Sequence, residues 1–73
     1  MITLYTTPKC TRCAHISYFL SSNDINFNKV EVGRDISVDS LSHLVGRDVR
    51  AVPVIIDDGT EITEDQLVDY YGF

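Results

Sequence analysis

Short alternations of apolar and polar residues, separated by amphipathic stretches, run along the first half of the chain. Residues Ile2–Thr6 alternate and are rich in β-branched side chains, which predicts a strand that ends before Pro8. From Thr11 to Ser22, apolar residues recur at helical spacing and include Cys13, which predicts a helix with this cysteine on its buried face. A strand over Phe27–Val32 then completes a βαβ unit with parallel strands.

A second amphipathic stretch follows this unit. Residues Ser37–Val45 are predicted to be helical, and Gly46 stands where a helix commonly ends on a glycine. The helical spacing places four apolar residues on one side of this helix: Val38, Leu41, Leu44 and Val45.

The last third of the chain predicts a hairpin and a final helix. Val52–Ile56 is an apolar run typical of a strand, and the Asp-Gly pair at 58–59 predicts a tight turn into an antiparallel strand over Thr60–Ile62. A Thr-x-x-Gln capping box at 63–66 predicts the start of the final helix. The element order is therefore βαβαββα, an α/β arrangement.

Length and charge narrow the possible functions. The 73 residues are enough for one domain, so we expect residues 1–73 to form a single unit. Eleven acidic against six basic residues give a net charge of −5, which opposes binding to nucleic acid or anionic membranes. The longest apolar run is far shorter than the roughly 20 residues of a membrane span. Met1 leads directly into the first strand pattern without a leader-like segment, so we expect a cytoplasmic location. We also expect the protein to be a monomer.

The candidate chemistry lies in the two cysteines. Cys10 and Cys13 are too close in sequence for a disulfide between them to restrain a long segment of the chain. A C-x-x-C pair between the first strand and helix of a βαβ unit is instead typical of a redox motif. Free N–H groups at the helix start, with the cations of Lys9 and Arg12, should lower the pKa of Cys10 below its usual value of about 8.5. Cys10 is therefore the predicted nucleophile, and the shielded Cys13 the predicted resolving thiol.

A metal site is the main alternative interpretation of the cysteines. Structural zinc requires four converging ligands, for which His15 and His43 would have to join Cys10 and Cys13. Both histidines fall on the polar sides of their predicted helices, so we expect them to be solvated. A module in which Cys10 binds zinc, or an iron–sulfur cluster bridged by two chains, remains an alternative function, as does a non-catalytic interaction domain.

Two sequence elements together resemble the glutaredoxins. These are T-x-Y-x-x-P-x-C-x-x-C over residues 3–13 and A-V-P-V over residues 51–54. The first element is most similar to the small glutaredoxin-like redoxins that reduce ribonucleotide reductase. The resemblance implies a thioredoxin-like fold, with a four-stranded mixed sheet and flanking helices, and a cis peptide bond before Pro53. It also implies that the backbone of Val52 pairs with the main chain of the substrate.

The resemblance also implies partners and contact residues. The expected activity is the reduction of disulfides in proteins, with ribonucleotide reductase as a candidate, using electrons from glutathione or a flavoprotein reductase and no bound cofactor. The residues expected to contact substrate are Lys9, Thr11, Arg12, Val52, Pro53 and Asp65. A Thr-Glu-Asp-Gln stretch stands where glutaredoxins carry a Gly-Gly-x-Asp element, and Asp65 aligns with the family's aspartate only across a one-residue gap. Glu64 should repel a glutathione carboxylate, so we expect glutathione to be a weak partner.

Overall fold

The computed structural model of the protein describes residues 1–72, which form one four-stranded sheet with three helices. The strand order is β2-β1-β3-β4, with β1 and β2 parallel and the other two pairings antiparallel. The predicted element order and mixed sheet are therefore confirmed. In chain order the elements are β1 (Ile2–Thr6), α1 (Thr11–Ser22), β2 (Phe27–Glu31), α2 (Val38–Val45), β3 (Val54–Asp57), β4 (Thr60–Ile62) and α3 (Glu64–Tyr71).

An apolar cluster covers each face of the sheet, because successive side chains of a strand point to opposite faces. The larger cluster packs α1 and α3 against one face and contains Ile2, Leu4, Ile16, Leu20, Ile55, Ile62 and Leu67. The smaller cluster lies on the face that carries α2 and contains Tyr5, Leu41, Val49 and Val54. Strands β1 and β3 contribute residues to both clusters.

The local signals for helix ends and turns are confirmed. Thr63 caps α3 by accepting the N–H of Gln66 at 3.1 Å, and Gln66 accepts the N–H of Thr63 at 2.8 Å, which completes the capping box. Asp58 and Gly59 both have positive φ, as a two-residue hairpin turn of this type requires. Within residues 1–72, none of the helices has the length and apolar character needed to cross a membrane.

The apolar side of α2 is buried only in part. Leu41 is fully buried, but Leu44 is 59% exposed and Val38 is 48% exposed, while Val45 is only half-buried. The eight-residue helix reaches the core mainly through Leu41, and Val49 from the segment after the helix completes the same cluster. Helical spacing predicts which residues share a side, but here it overestimates how many of them reach the core.

Strand β3 begins later than the apolar run suggested. It starts at Val54 rather than Val52, because Pro53 has no N–H to donate to the ladder. The peptide bond between Val52 and Pro53 is cis, which confirms the expectation from the resemblance. Strand β2 likewise ends at Glu31, one residue before the predicted end. Residues 52 and 53 therefore lie in the loop that leads into the central strand β3.

Candidate active site

The two cysteines lie at the start of α1. Cys10 is the N-cap residue, Cys13 lies one turn further on with its Cα 5.2 Å away, and the two form a disulfide. The N–H of Cys13 donates to Cys10 Sγ at 3.1 Å. Cys13 is 2% exposed, whereas Cys10 is only partly buried. Of the two sulfurs, that of Cys10 is therefore the one accessible to solvent.

The Val52–Pro53 loop faces this sulfur from the other side. Cys10 Sγ lies 3.8 Å from the carbonyl oxygen of Val52 although the two residues are 42 positions apart. Within residues 1–72, the N–H of Val52 has no hydrogen-bond partner, since the β3 ladder begins only at Val54. Val52 thus carries a free N–H, and its carbonyl lies next to the sulfur of Cys10.

A groove of about 450 Å³ extends from this loop to the start of α3. Val52 and Pro53 form part of its wall, together with Thr63 at the cap of α3. Six charged residues also line the groove, namely Arg12, Arg47, Asp48, Arg50, Glu61 and Glu64. We refer to this surface as the charged groove.

The charges of the groove form three ion pairs. Arg12 Nη2 lies 3.3 Å from Glu64 Oε1, and Arg50 Nε donates to an oxygen of Asp48 at 2.9 Å. Arg47 binds Glu61 through two nitrogens, at 2.9 and 2.5 Å. This hydrogen-bonded pairing raises the pKa of Arg47 and lowers the pKa of Glu61. The groove is therefore polar but carries no net charge.

The pairing of Arg12 with Glu64 changes the expectation for both residues. Arg12 was expected to support the thiolate of Cys10, and Glu64 to repel a carboxylate of glutathione. Instead each partly neutralises the other, and their side chains are 71% and 41% exposed. The charge presented at this end of the groove is that of the pair.

The other residues expected to contact substrate are distributed unevenly around the dithiol. Lys9 and Thr11 are exposed next to Cys10 in the sequence. Asp65 is exposed in the first turn of α3, but the groove is lined there by Glu64 instead. The sequence reasoning missed Arg47 and its partner on β4, although the charged stretch R-D-V-R at 47–50, directly before A-V-P-V, was a usable signal.

The histidines lie apart from the cysteines. His15 and His43 are both exposed on their helices. Within the part of the chain that the structure describes, no three His, Cys, Asp or Glu side chains come together in an arrangement that would hold a metal ion. The geometry around Cys10 is that of a dithiol centre with a groove on one side.

A Cys-x-x-Cys pair at a helix N-terminus, facing a cis-proline loop in a βαβαββα fold, defines a thiol–disulfide oxidoreductase of the thioredoxin-like fold. The family model for glutaredoxin matches residues 2–62. The chain therefore belongs to the glutaredoxin family, whose members act on disulfides and typically use glutathione as reductant without a bound cofactor.

Solved structures of this fold superimpose on nearly the whole chain. The thioredoxin-like protein BC3987 has a TM-score of 0.70 at 21% identity, covering 96% of this chain and 94% of its own. The glutaredoxin grx-1 from Archaeoglobus fulgidus has a TM-score of 0.67 at 16% identity, and the match covers 93% of this chain and 82% of that chain. Glutaredoxin 1 from Francisella tularensis, solved with cacodylate, has a TM-score of 0.67 at 17% identity, and the match covers 94% of this chain and 87% of that chain. Among curated protein sequences, no significant match is found.

Proposed function

We propose that the protein reduces disulfides in other proteins, with Cys10 as the attacking thiolate and Cys13 as the resolving thiol. The contrast between the two sulfurs carries this proposal. Cys10 is accessible and receives an N–H from the first turn of α1, where the positive helix end favours a thiolate. Cys13 is almost fully buried, which favours its neutral form until the second step.

The reaction proceeds as two exchanges. The thiolate of Cys10 attacks one sulfur of the substrate disulfide, which forms a mixed disulfide and releases the other substrate sulfur as a thiolate that takes up a proton. Cys13 then loses its proton and attacks Cys10 Sγ. This step restores the Cys10–Cys13 bond and releases the second substrate sulfur, so two electrons pass from the dithiol to the substrate. Two glutathione molecules, which leave as glutathione disulfide, or a flavoprotein reductase return the two electrons.

The substrate is held beside the sulfur of Cys10. The free N–H of Val52 supports pairing with the main chain of an extended substrate segment. The proposed substrate contacts are those expected from the sequence, namely Lys9, Thr11, Arg12, Val52, Pro53 and Asp65. We further propose that the protein works as a cytoplasmic monomer and that ribonucleotide reductase is its candidate substrate.

Two single-cysteine variants test the assignment of roles. Cys10→Ser should abolish reduction, whereas Cys13→Ser should accumulate a mixed disulfide with the substrate, since only the first exchange remains. Mass spectrometry of the trapped species identifies the substrate cysteine that is bound to Cys10. In the reduced wild type, Cys10 should be alkylated faster than Cys13 at pH 6, and the reverse order would overturn the assignment.

The electron source is tested separately. Reduction of a protein disulfide is measured in parallel with glutathione plus glutathione reductase and with thioredoxin reductase. We expect the second system to support the faster turnover, because the start of α3 lacks the glycines that let backbone N–H groups approach a glutathione carboxylate. Faster turnover with the glutathione system would refute this choice of reductant.

A further inference from the structure

A second depression lies on the opposite side of the Val52 loop from the charged groove. Its volume is about 160 Å³, and we call it the apolar cleft. Residues 50–52 line both depressions and so form a wall between them. The lining of the apolar cleft consists of Thr7, Val32, Val38, Val49, Arg50, Ala51 and Val52. The one charged residue among them, Arg50, is 86% exposed and bound to Asp48, so the surface of the cleft is apolar.

Two residues that line the apolar cleft also contact Cys10. The carbonyl of Thr7 accepts the N–H of Cys10 at 3.3 Å, and the carbonyl of Val52 lies 3.8 Å from Cys10 Sγ. Both residues belong to the lining of the cleft. A segment that reacts with Cys10 therefore passes close to residues that line the cleft.

The apolar cleft has room for a large side chain. Its floor is the buried Val49, while Val38 on its rim is 48% exposed and therefore available to a partner. A cavity of roughly 150 Å³ lined by aliphatic side chains is large enough to bind benzene. The volume of the cleft thus suits a side chain of the size of leucine or phenylalanine.

We propose that the apolar cleft binds an apolar side chain of the substrate protein, two positions from its reacting cysteine. This inference rests on the proposed function, in which an extended substrate segment pairs with the backbone of Val52. Side chains two positions apart in an extended segment point to the same side, so this residue faces the enzyme together with the cysteine. Because residues 50–52 separate the two depressions, one flank of the segment meets the apolar cleft and the other meets the charged groove.

Short peptides test this selectivity. Each peptide carries one cysteine in a mixed disulfide with 2-mercaptoethanol, with leucine or serine two positions before or two positions after the cysteine. The second-order rate constant is measured with pre-reduced protein in a single turnover. Complete burial of a leucine corresponds to a factor of roughly 10–150, and because the cleft is open on one side we expect about tenfold. The preference for leucine should occur at one of the two positions only.

A pair of variants on α2 locates the effect. Val38→Ser should reduce the leucine-to-serine ratio to about 2, since it makes the rim of the cleft polar. Leu44→Ser is the matched control, because Leu44 is equally an exposed apolar residue of α2 but does not line the cleft. This control should keep the wild-type ratio. A ratio that falls equally in both variants would overturn the assignment to the cleft.

The remaining outcomes separate the two proposals. Absence of a leucine preference at both positions, or an equal preference at both, would overturn the cleft proposal. Hydroxyethyl disulfide measures the exchange chemistry of the wild-type dithiol without any peptide. If wild-type protein reduces it at a normal rate but shows no leucine preference, the cleft proposal alone fails. If it does not reduce it, both proposals fail.

Discussion

Removing the carboxylate of Glu64 tests whether the charged groove slows the reaction with a glutathione mixed disulfide. This carboxylate lies 3.3 Å from the guanidinium of Arg12 at the end of the groove formed by α3. Glutathione brings two carboxylates of its own, so Glu64 both repels them and occupies the cation that could attract them. In Glu64→Gln the repulsion disappears and Arg12 becomes available. The reaction with a glutathione mixed disulfide should therefore become faster.

The exposure of the pair limits the size of this effect. The two side chains are 71% and 41% exposed, and exposed ion pairs contribute about 0.2–1 kcal/mol. A glutathione carboxylate that takes over the position next to Arg12 gains at most this amount, which corresponds to a factor of up to about 5 in affinity. We expect the second-order rate constant of Glu64→Gln to rise roughly 2- to 5-fold.

The assay compares a charged and an uncharged substrate. Pre-reduced protein reacts in a single turnover with a glutathione mixed disulfide or with hydroxyethyl disulfide, without free glutathione. Only the charged substrate should gain, and the gain should shrink in 1 M salt, where the Debye length is about 3 Å. Asp69→Asn on the exposed side of α3 makes the same change in net charge away from the groove. An equal gain in this control, or with the uncharged substrate, would refute the argument.

Two further predictions concern stability. Arg47→Gln should lower the free energy of unfolding at pH 7 by up to about 1 kcal/mol, because both partners of its pair with Glu61 retain solvent contact. Since the pairing lowers the pKa of Glu61, this contribution is present at neutral pH and is lost as the pH falls below the ordinary value of 4.5. In urea unfolding, the difference between wild type and Arg47→Gln should therefore be smaller at pH 3 than at pH 7. Arg50→Gln, which breaks only a local pair, is the control. Tyr71 donates a hydrogen bond to Asp57 at 2.7 Å, which raises the pKa of Tyr71, so its contribution to stability is present below the ordinary value of 10.0 and is lost above it. Between pH 9 and pH 11 the thermal midpoint of Tyr71→Phe should therefore fall less than that of the wild type. If the two midpoints fell by the same amount over this range, the reasoning would be contradicted.

The features predicted correctly from the sequence depend on neighbouring residues. The capping box at 63–66 and the Asp-Gly turn at 58–59 each satisfy backbone groups within four residues, so their geometry is encoded locally. The exposure of Leu44 depends instead on how α2 lies against the sheet. Because Val49, outside the helix, completes the core there, no pattern within the helix could have predicted it.

The same distinction applies to the candidate site. The two cysteines are one helical turn apart, so their placement follows from local structure. The contact of Cys10 with Val52 spans 42 positions and was expected only from the resemblance to glutaredoxins. The pair of Arg12 with Glu64 spans 52 positions and joins two exposed side chains. Its formation depends on the folded positions of α1 and α3, which the sequence pattern does not specify.

The charged groove and the apolar cleft should contribute differently to recognition. Three of the six basic residues of the chain line the charged groove, and each is paired with a carboxylate, so the net charge of −5 is carried by the rest of the chain. A charged substrate gains in the groove only by exchanging partners, which favours selectivity more than affinity. The apolar cleft gains by removing apolar surface from water and needs no such exchange. The leucine preference should therefore persist in 1 M salt, whereas the effect of Glu64→Gln should not. If the leucine preference disappears in salt, charge and not apolar burial holds the substrate at this side of Val52.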